Sequence, residues 1–297
     1  MARQCVGVVG ATSLVGGFAL SLLVKKNYKV IAYTRESCPD KRSTVEWQKL
    51  GSSTDPSMLS KIPTQQEEIP YWLCVAPIWV LSQYFDFLLT HGIKRIVVLS
   101  STSRYTKTKS KDIKEQSIAL RLENSEELIK RWAEEHNIEW IILRPTLIYG
   151  LGRDKNITEI ARFIKKFGFF PLFGKALGLR QPVHADDVAN ACVSALNTTT
   201  VIKGAYNISG GETLSYNKMV SRVFKVLGKR PYFIRIPLSL FRFGVKCLRL
   251  FPRYKHWSAS MAERMNQDLV FDHSEASADL SYKPRKFFPT KTDLGEY

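Results

Sequence analysis

Val9-Gly10-Ala11-Thr12-Ser13-Leu14-Val15-Gly16-Gly17, near the start of the 297-residue chain, is the stretch that decides the fold. The apolar run Cys5–Val9 precedes it, and Leu14–Lys26, which carries no acidic residue, follows it. The order reads as strand, glycine turn, helix. Gly10 permits a tight turn and Gly16 lets helix and strand pack closely. The main chain of Thr12, Ser13, Leu14 and Val15 then brings the helix's unpaired amides and the positive end of its dipole to one place, which suits a phosphate. A plain βα turn could carry the same letters. Its position after a strand, before a helix and at the head of the chain points instead to a dinucleotide site.

Further along, Lys29–Tyr33, Tyr71–Val75, Arg95–Leu99 and Glu139–Leu143 are short, Val/Ile-rich and uninterrupted, as strands buried on both faces are. Helical stretches are expected at Leu14–Lys26, Ile78–His91 and Asp112–His136. Alternation of this kind predicts an α/β fold built on a doubly wound parallel sheet with right-handed crossovers. Lys41–Pro70 is polar and reads as a degenerate third βα unit with a loop. Past Tyr149 the pattern changes, with glycine and phenylalanine gathered in Phe167–Gly178 and a second glycine group at Gly204–Gly211. Residues 1–150 are therefore expected to form the nucleotide-binding domain, with 180–203 returning to it. Residues 151–179 and 204–297 are expected to form a smaller lobe.

The chain has 44 Lys+Arg against 27 Asp+Glu, a formal charge of +17, with 44% hydrophobic residues. That composition excludes wholesale disorder. The charge favours anionic partners such as nucleotide phosphates or acidic lipid, or else describes a solvated basic surface. No helix-turn-helix, zinc-finger or RNA-binding signature is present, so nucleic acid is not expected. Cys5, Cys38, Cys74, Cys192 and Cys247 are scattered without metal-ligand spacing, so neither a metal site nor a disulfide scaffold is expected, and a reducing cytoplasm fits. The uncharged stretch Val6–Val24 contains four glycines and reads better as strand plus helix than as a leader or a membrane span.

The second strand leads to Arg35, about 20 residues past the glycine turn, where an acidic residue would bind a ribose 2′-hydroxyl. A guanidinium there suits a 2′-phosphate, which favours NADP(H) over NAD(H), although Glu36 stands beside it. Ala76 and Pro77 follow the strand Tyr71–Val75, on the rim where ligands of such sheets bind.

Gly10-x-x-Ser13-x-x-Gly16, the run Val97-Val98-Leu99-Ser100-Ser101, Leu143-Arg144-Pro145-Thr146-Leu147-Ile148-Tyr149-Gly150 and Arg180-Gln181-Pro182-Val183-His184-Ala185-Asp186-Asp187-Val188-Ala189 stand in order along the chain. Together they resemble the extended short-chain dehydrogenase/reductase superfamily, nearest its NAD-dependent epimerase/dehydratase branch. The resemblance implies a Rossmann-type doubly wound parallel sheet with a smaller C-terminal substrate lobe. It implies a serine or threonine after the fifth strand, here Ser100 or Ser101, that polarises a carbonyl. It also implies main chain near Pro145 along the nicotinamide, and an arginine, here Arg180, on a substrate pyrophosphate. Arg264 and Arg285 stand where a further phosphate-binding arginine is found in the family.

Two departures stand out. Ser13 occupies a position that is usually glycine, and its Cβ limits how closely a pyrophosphate can approach. The Tyr-x-x-x-Lys pair, whose lysine lowers the tyrosine pKa for proton transfer, is also missing. Its positions on the helix Asp112–His136 fall on Ile118 and Leu122. Tyr105 to Lys109 matches the letters, but only four residues past Ser101. Tyr105, Lys109 or Lys111 could serve only if that loop folded over the nicotinamide. His184 reads as a core or capping residue.

In Leu238–Arg253, Arg242, Lys246, Arg249 and Arg253 recur on one helical face. Such a segment either packs on the lobe with a solvated basic stripe or lies on acidic lipid. The leading expectation is an oxidoreductase or epimerase acting on a nucleotide-linked sugar or similar polar, phosphate-bearing small molecule, and a homodimer is an assembly open to it. The alternative is an NADP(H)-binding sensor or scaffold without turnover, with peripheral membrane contact through 238–253.

Overall fold

A computed structural model describes residues 3–35, 44–50, 68–108, 110, 112–241, 243 and 260–296. The first unit runs β1 (Cys5–Val9), α1 (Leu14–Lys25), β2 (Lys29–Thr34), β3 (Glu46–Lys49) and β4 (Tyr71–Cys74). A 3-10 turn at Ile78–Tyr84 and α2 (Phe85–Thr90) follow, then β5 (Arg95–Leu99), α3 (Ser103–Thr106), α4 (Ile113–Glu135) and β6 (Glu139–Pro145). The rest comprises β7 (Ile148–Tyr149), α5 (Ile157–Phe167), β8 (Phe170–Phe173), β9 (Leu179–Arg180), β10 (Val183–His184), α6 (Ala185–Asn197) and β11 (Lys203–Ile208). β12 (Leu214–Ser215), α7 (Tyr216–Val226), β13 (Phe233–Ile236), α8 (Ser260–Arg264) and α9 (Ser274–Leu280) complete it.

Seven strands pair in the order β11-β6-β5-β4-β1-β2-β3, all parallel. The order reverses between β1 and β4, and the strand alternation explains the two cores. Val8, Val97 and Ile141 turn to the face covered by α1 and α6, where Leu23, Val188 and Cys192 meet them. Val9, Val98 and Ile142 turn to the other face, against Leu81, Leu88, Leu122, Ile129 and Trp132. A third cluster, with Tyr149, Ile164, Leu172, Val220 and Phe224, forms the core of the smaller lobe.

The long helix starts where Asp112 accepts a hydrogen bond from the Lys114 amide at 2.9 Å, and it ends before Asn137, whose φ is +55°. Three boundaries differ from the sequence reading. Ile78–His91 divides into a 3-10 turn and a short helix at Tyr84, whose φ of −121° and ψ of 12° leave the helical region. β3 is an edge strand with mostly exposed side chains, so Lys41–Pro70 gave no apolar signal. β11 pairs with β6, and Ala276, Leu280 and Tyr282 pack into the α1/α6 core, so these parts of 204–297 sit with the main sheet. Arg95 ties that edge together by donating to the carbonyls of Ala195 at 3.3 Å and Leu196 at 3.2 Å, at the C-terminal end of α6. Most of the basic segment 238–253 lies outside the described residues.

Candidate functional site

A groove follows the carboxyl ends of the strands at the reversal between β1 and β4, where ligands of open α/β sheets bind. Its narrow end, about 190 Å³, is walled by Gly10, Thr12, Tyr33, Arg35, Leu50 and Tyr84. Its broad end, about 660 Å³, extends past Ser100, Ser101, Pro145 and Gln181. Ser13, Val75, Ala76 and Pro77 line both, so the two ends adjoin along a shared wall.

The glycine turn separates them. Gly10 has φ +85°, and a Cβ on it would lie 2.4 Å from the Ala76 nitrogen. A Cβ on Gly16 would lie 2.4 Å from the Gly10 carbonyl oxygen. Both positions therefore require glycine. Ser13 does not, because its φ of −68° is ordinary, and its hydroxyl accepts a hydrogen bond from the Gly16 amide at 3.0 Å. The serine thus caps α1 and takes up one amide that a glycine would leave open, and the amides of Leu14 and Val15 remain for an anion. Arg153, from the loop after β7, reaches this turn and donates to the Thr12 carbonyl at 2.7 Å. A turn of this shape opening onto both cavities fits a dinucleotide pyrophosphate.

At the end of β5 the two serines have different duties. Ser100 donates to the carboxylate of Glu126, which is fully buried on α4. Arg144 meets the same carboxylate through Nε at 3.0 Å and 3.1 Å and Nη2 at 2.6 Å, and Arg104 pairs with it from α3. The Ser100 proton is therefore committed. Ser101 instead accepts from the Ser103 amide at 3.1 Å, which leaves its own O–H to donate into the groove.

Tyr105 does not line the groove. Its ring has the guanidinium carbons of Arg104 and Arg144 at 5.3 Å and 5.5 Å from its centre and Phe271 at 6.0 Å. Thr106 and Lys107 of the same segment are on the wall, while Lys109 and Lys111 lie outside the described residues. Leu122 occupies the wall at the lysine position of the missing pair, and Ile118 stands partly exposed at the tyrosine position.

The arginines also separate. Arg180 is buried on the wall of the broad end. It donates to the carbonyls of Leu179 and Gln267, each at 2.7 Å, and of Arg264. Burial pulls its pKa down to about 10. Among the described residues no carboxylate forms an ion pair with it, and its guanidinium carbon lies 5.5 Å from the centre of the Tyr216 ring. Arg264 lines the same end and is paired with Glu115. Arg285 stands apart. Its Nε donates to Asp187 at 2.9 Å and its Nη2 pairs with Asp186, so the side chain holds the C-terminal segment to the start of α6. Two carboxylates take up the charge that the sequence reading assigned to substrate.

His184 is structural. Its Nδ1 accepts from the Asp186 amide at 3.1 Å and its Nε2 meets Asp293 at 2.9 Å. Arg153, Lys155, Lys107 and Glu126 had no assigned role in the sequence reading. Arg153 and Glu126 act across the fold rather than within a motif, and Lys107, Arg153 and Lys155 lie on the wall of the broad end. Among the described residues no metal-binding cluster occurs, and no helix is long and apolar enough to cross a membrane.

The family described as NAD dependent epimerase/dehydratase matches residues 82–209. A UDP-glucose 4-epimerase of Vibrio cholerae is 22% identical over 202 residues, covering 65% of this chain and 59% of that protein. Subunit 9 of the 1 alpha subcomplex of mitochondrial NADH dehydrogenase [ubiquinone] from Arabidopsis thaliana is 28% identical over 103 residues, covering 34% of this chain and 25% of that one. The chain spans about half of the length of the first curated relatives that it matches. In fold, it superimposes on the UDP-glucuronic acid 4-epimerase of Bacillus cereus, a complex with UDP-glucuronic acid and NAD, with TM-score 0.69 at 19% identity. That overlay covers 95% of this chain and 94% of that one. The chain thus matches the NAD dependent epimerase/dehydratase family in sequence over residues 82–209, and it shares the fold of a solved epimerase over nearly its whole length.

Proposed function

We propose that the groove holds a nicotinamide dinucleotide, adenosine in the narrow end, and that the protein acts on a nucleotide-linked sugar or similar phosphate-bearing molecule in the broad end. The observation that carries this is the wall that the two cavities share at Ser13 and Val75–Pro77, with Lys107, Lys155, Arg180 and Arg264 lining the broad end. The names of the Vibrio and Bacillus relatives support it. A bound nicotinamide would accept and return a hydride. The chain's own part is to hold the pyrophosphate at Leu14 and Val15, to offer the Ser101 hydroxyl to a substrate oxygen, and to neutralise substrate phosphates at Arg180. Arg35 at the narrow mouth favours NADP(H) over NAD(H). In this reading the main sheet serves the coenzyme and the third core cluster backs the substrate wall.

The test is a fluorescence titration with NADPH and NADH on wild type and Arg35→Ala, followed by product analysis with a panel of nucleotide sugars. Saturable dinucleotide binding with product formation supports the reading. Loss of the NADPH preference in the variant places Arg35 at the 2′-phosphate, and an unchanged preference removes it.

A second reading is favoured by Ile118 and Leu122, which leave the proton-relay positions apolar. In it the protein binds the coenzyme as a sensor or scaffold, as a non-catalytic member of an assembly would. Tight dinucleotide binding with no turnover across the panel selects it. A cytoplasmic homodimer, in peripheral contact with acidic lipid through 238–253, is the setting we assign. Sedimentation velocity and co-sedimentation with anionic liposomes test the two parts.

A further inference from the structure

We infer that Arg153 is a coenzyme ligand, delivered to the pyrophosphate from the loop that opens the smaller lobe. This rests on the dinucleotide reading above. Arg153 is the residue of this loop that bridges to the glycine turn, through its Nη2 on the Thr12 carbonyl at 2.7 Å. Its guanidinium is exposed on the wall of the broad end. Among the described residues it pairs with no carboxylate, unlike Arg144, Arg264 and Arg285. Five N–H groups serve an arginine, and the bond to Thr12 uses one of them.

The loop is built to hold that reach. Gly150, Leu151 and Gly152 all have positive φ, and the Gly152 amide donates to the Asp293 carbonyl at 2.9 Å. A Cβ on Gly152 would lie 2.4 Å from the Cα of Gly295, so the C-terminal turn fixes the loop from behind. On its other side, Asp154 accepts from the amides of Asn156 at 2.8 Å and Thr158 at 3.2 Å, anchoring the loop to the start of α5. Arg153 thus stands between two anchors with its head over the turn.

The need for it follows from Ser13. Its hydroxyl occupies the Gly16 amide, so this turn offers an anion one donor fewer than a glycine in the same place would. A pyrophosphate carries two negative charges, and a planar guanidinium supplies both charge and paired donors. Arg153 replaces by side chain what the turn withholds by main chain.

The experiment titrates wild type, Arg153→Gln, Arg153→Lys and Arg153→Ala with NADPH, NADH, ADP-ribose and 2′-AMP, with thermal unfolding as the control for folding. Gln keeps a donor for Thr12 without the charge, and 2′-AMP has no 5′-phosphate. The inference expects Gln and Ala to bind the three diphosphates about tenfold more weakly and 2′-AMP unchanged, with Lys between Gln and wild type. Equal diphosphate affinity in Gln and wild type would show that Arg153 only braces the turn, and would overturn it. So would an equal loss for 2′-AMP. If wild type itself binds no diphosphate, the coenzyme reading fails first, a result seen before any variant is made.

Discussion

Replacing Glu126 by glutamine is the most demanding test of how the site is held. Glu126 is fully buried and meets Ser100, Arg104 and Arg144 at once. In the neutral variant, two guanidinium groups, with side-chain exposures of 10% for Arg144 and 12% for Arg104, face each other across an uncharged amide. Removing one partner of a buried pair costs about 3–5 kcal/mol. Some water reaches both arginines, so the expected loss lies near the lower bound, about 3 kcal/mol. For a chain of this size that lowers Tm by roughly 6 °C. Arg104→Gln should cost less, about 1 kcal/mol, because Arg104 also leans on Glu123, which is largely exposed. A urea-unfolding double-mutant cycle over Glu126 and Arg144 should give a coupling above about 1 kcal/mol. A glutamine variant within about 0.5 kcal/mol of wild type, or additive single losses, would refute the claim that this carboxylate holds the end of β5.

Gly10→Ala must place a Cβ 2.4 Å from the Ala76 nitrogen at φ +85°, so it should lose at least about 2 kcal/mol in urea unfolding together with dinucleotide binding. Arg285→Ala should lose about 1 kcal/mol of stability, with the same coenzyme affinity as wild type in a fluorescence titration, since its guanidinium serves Asp186 and Asp187. Burial alone would raise the Asp293 carboxyl, but hydrogen bonds from His184 and Thr290 hold it below the usual carboxylate range. A depressed pKa contributes stability that is complete above the unfolded value, about 3.9, and is lost as pH falls through the folded value. The stability gap between wild type and Asp293→Asn should therefore be wide at pH 6 and begin to narrow only as pH falls below about 4, as read by unfolding at each pH.

The fold was legible because its strands are buried on both faces. Val97 and Val98 serve opposite cores, so the run of β5 had to be apolar throughout. β3 lies within the degenerate unit expected over Lys41–Pro70, but its bounds were not legible, since an exposed edge carries polar residues. The glycine turn was legible in its letters, and Gly10 and Gly16 stand where close backbone contact demands them. The arginines were not legible. Arg180 and Arg285 both looked like phosphate ligands, yet Arg285 meets Asp187, 98 positions away, and no local pattern predicts such a pairing. Arg153 reaches Thr12 across 141 positions. Glu126 stands in a charged helical stretch, and only the arrival of Arg104 and Arg144 makes it a buried centre.

Calorimetric titration of the purified chain with NADPH and NADH addresses the central claim most directly, because every role assigned to the groove presumes a dinucleotide in it. The account predicts a saturable isotherm with one site per chain, tighter for NADPH, which Gly10→Ala removes. A flat trace for both coenzymes with folded wild-type protein would contradict it.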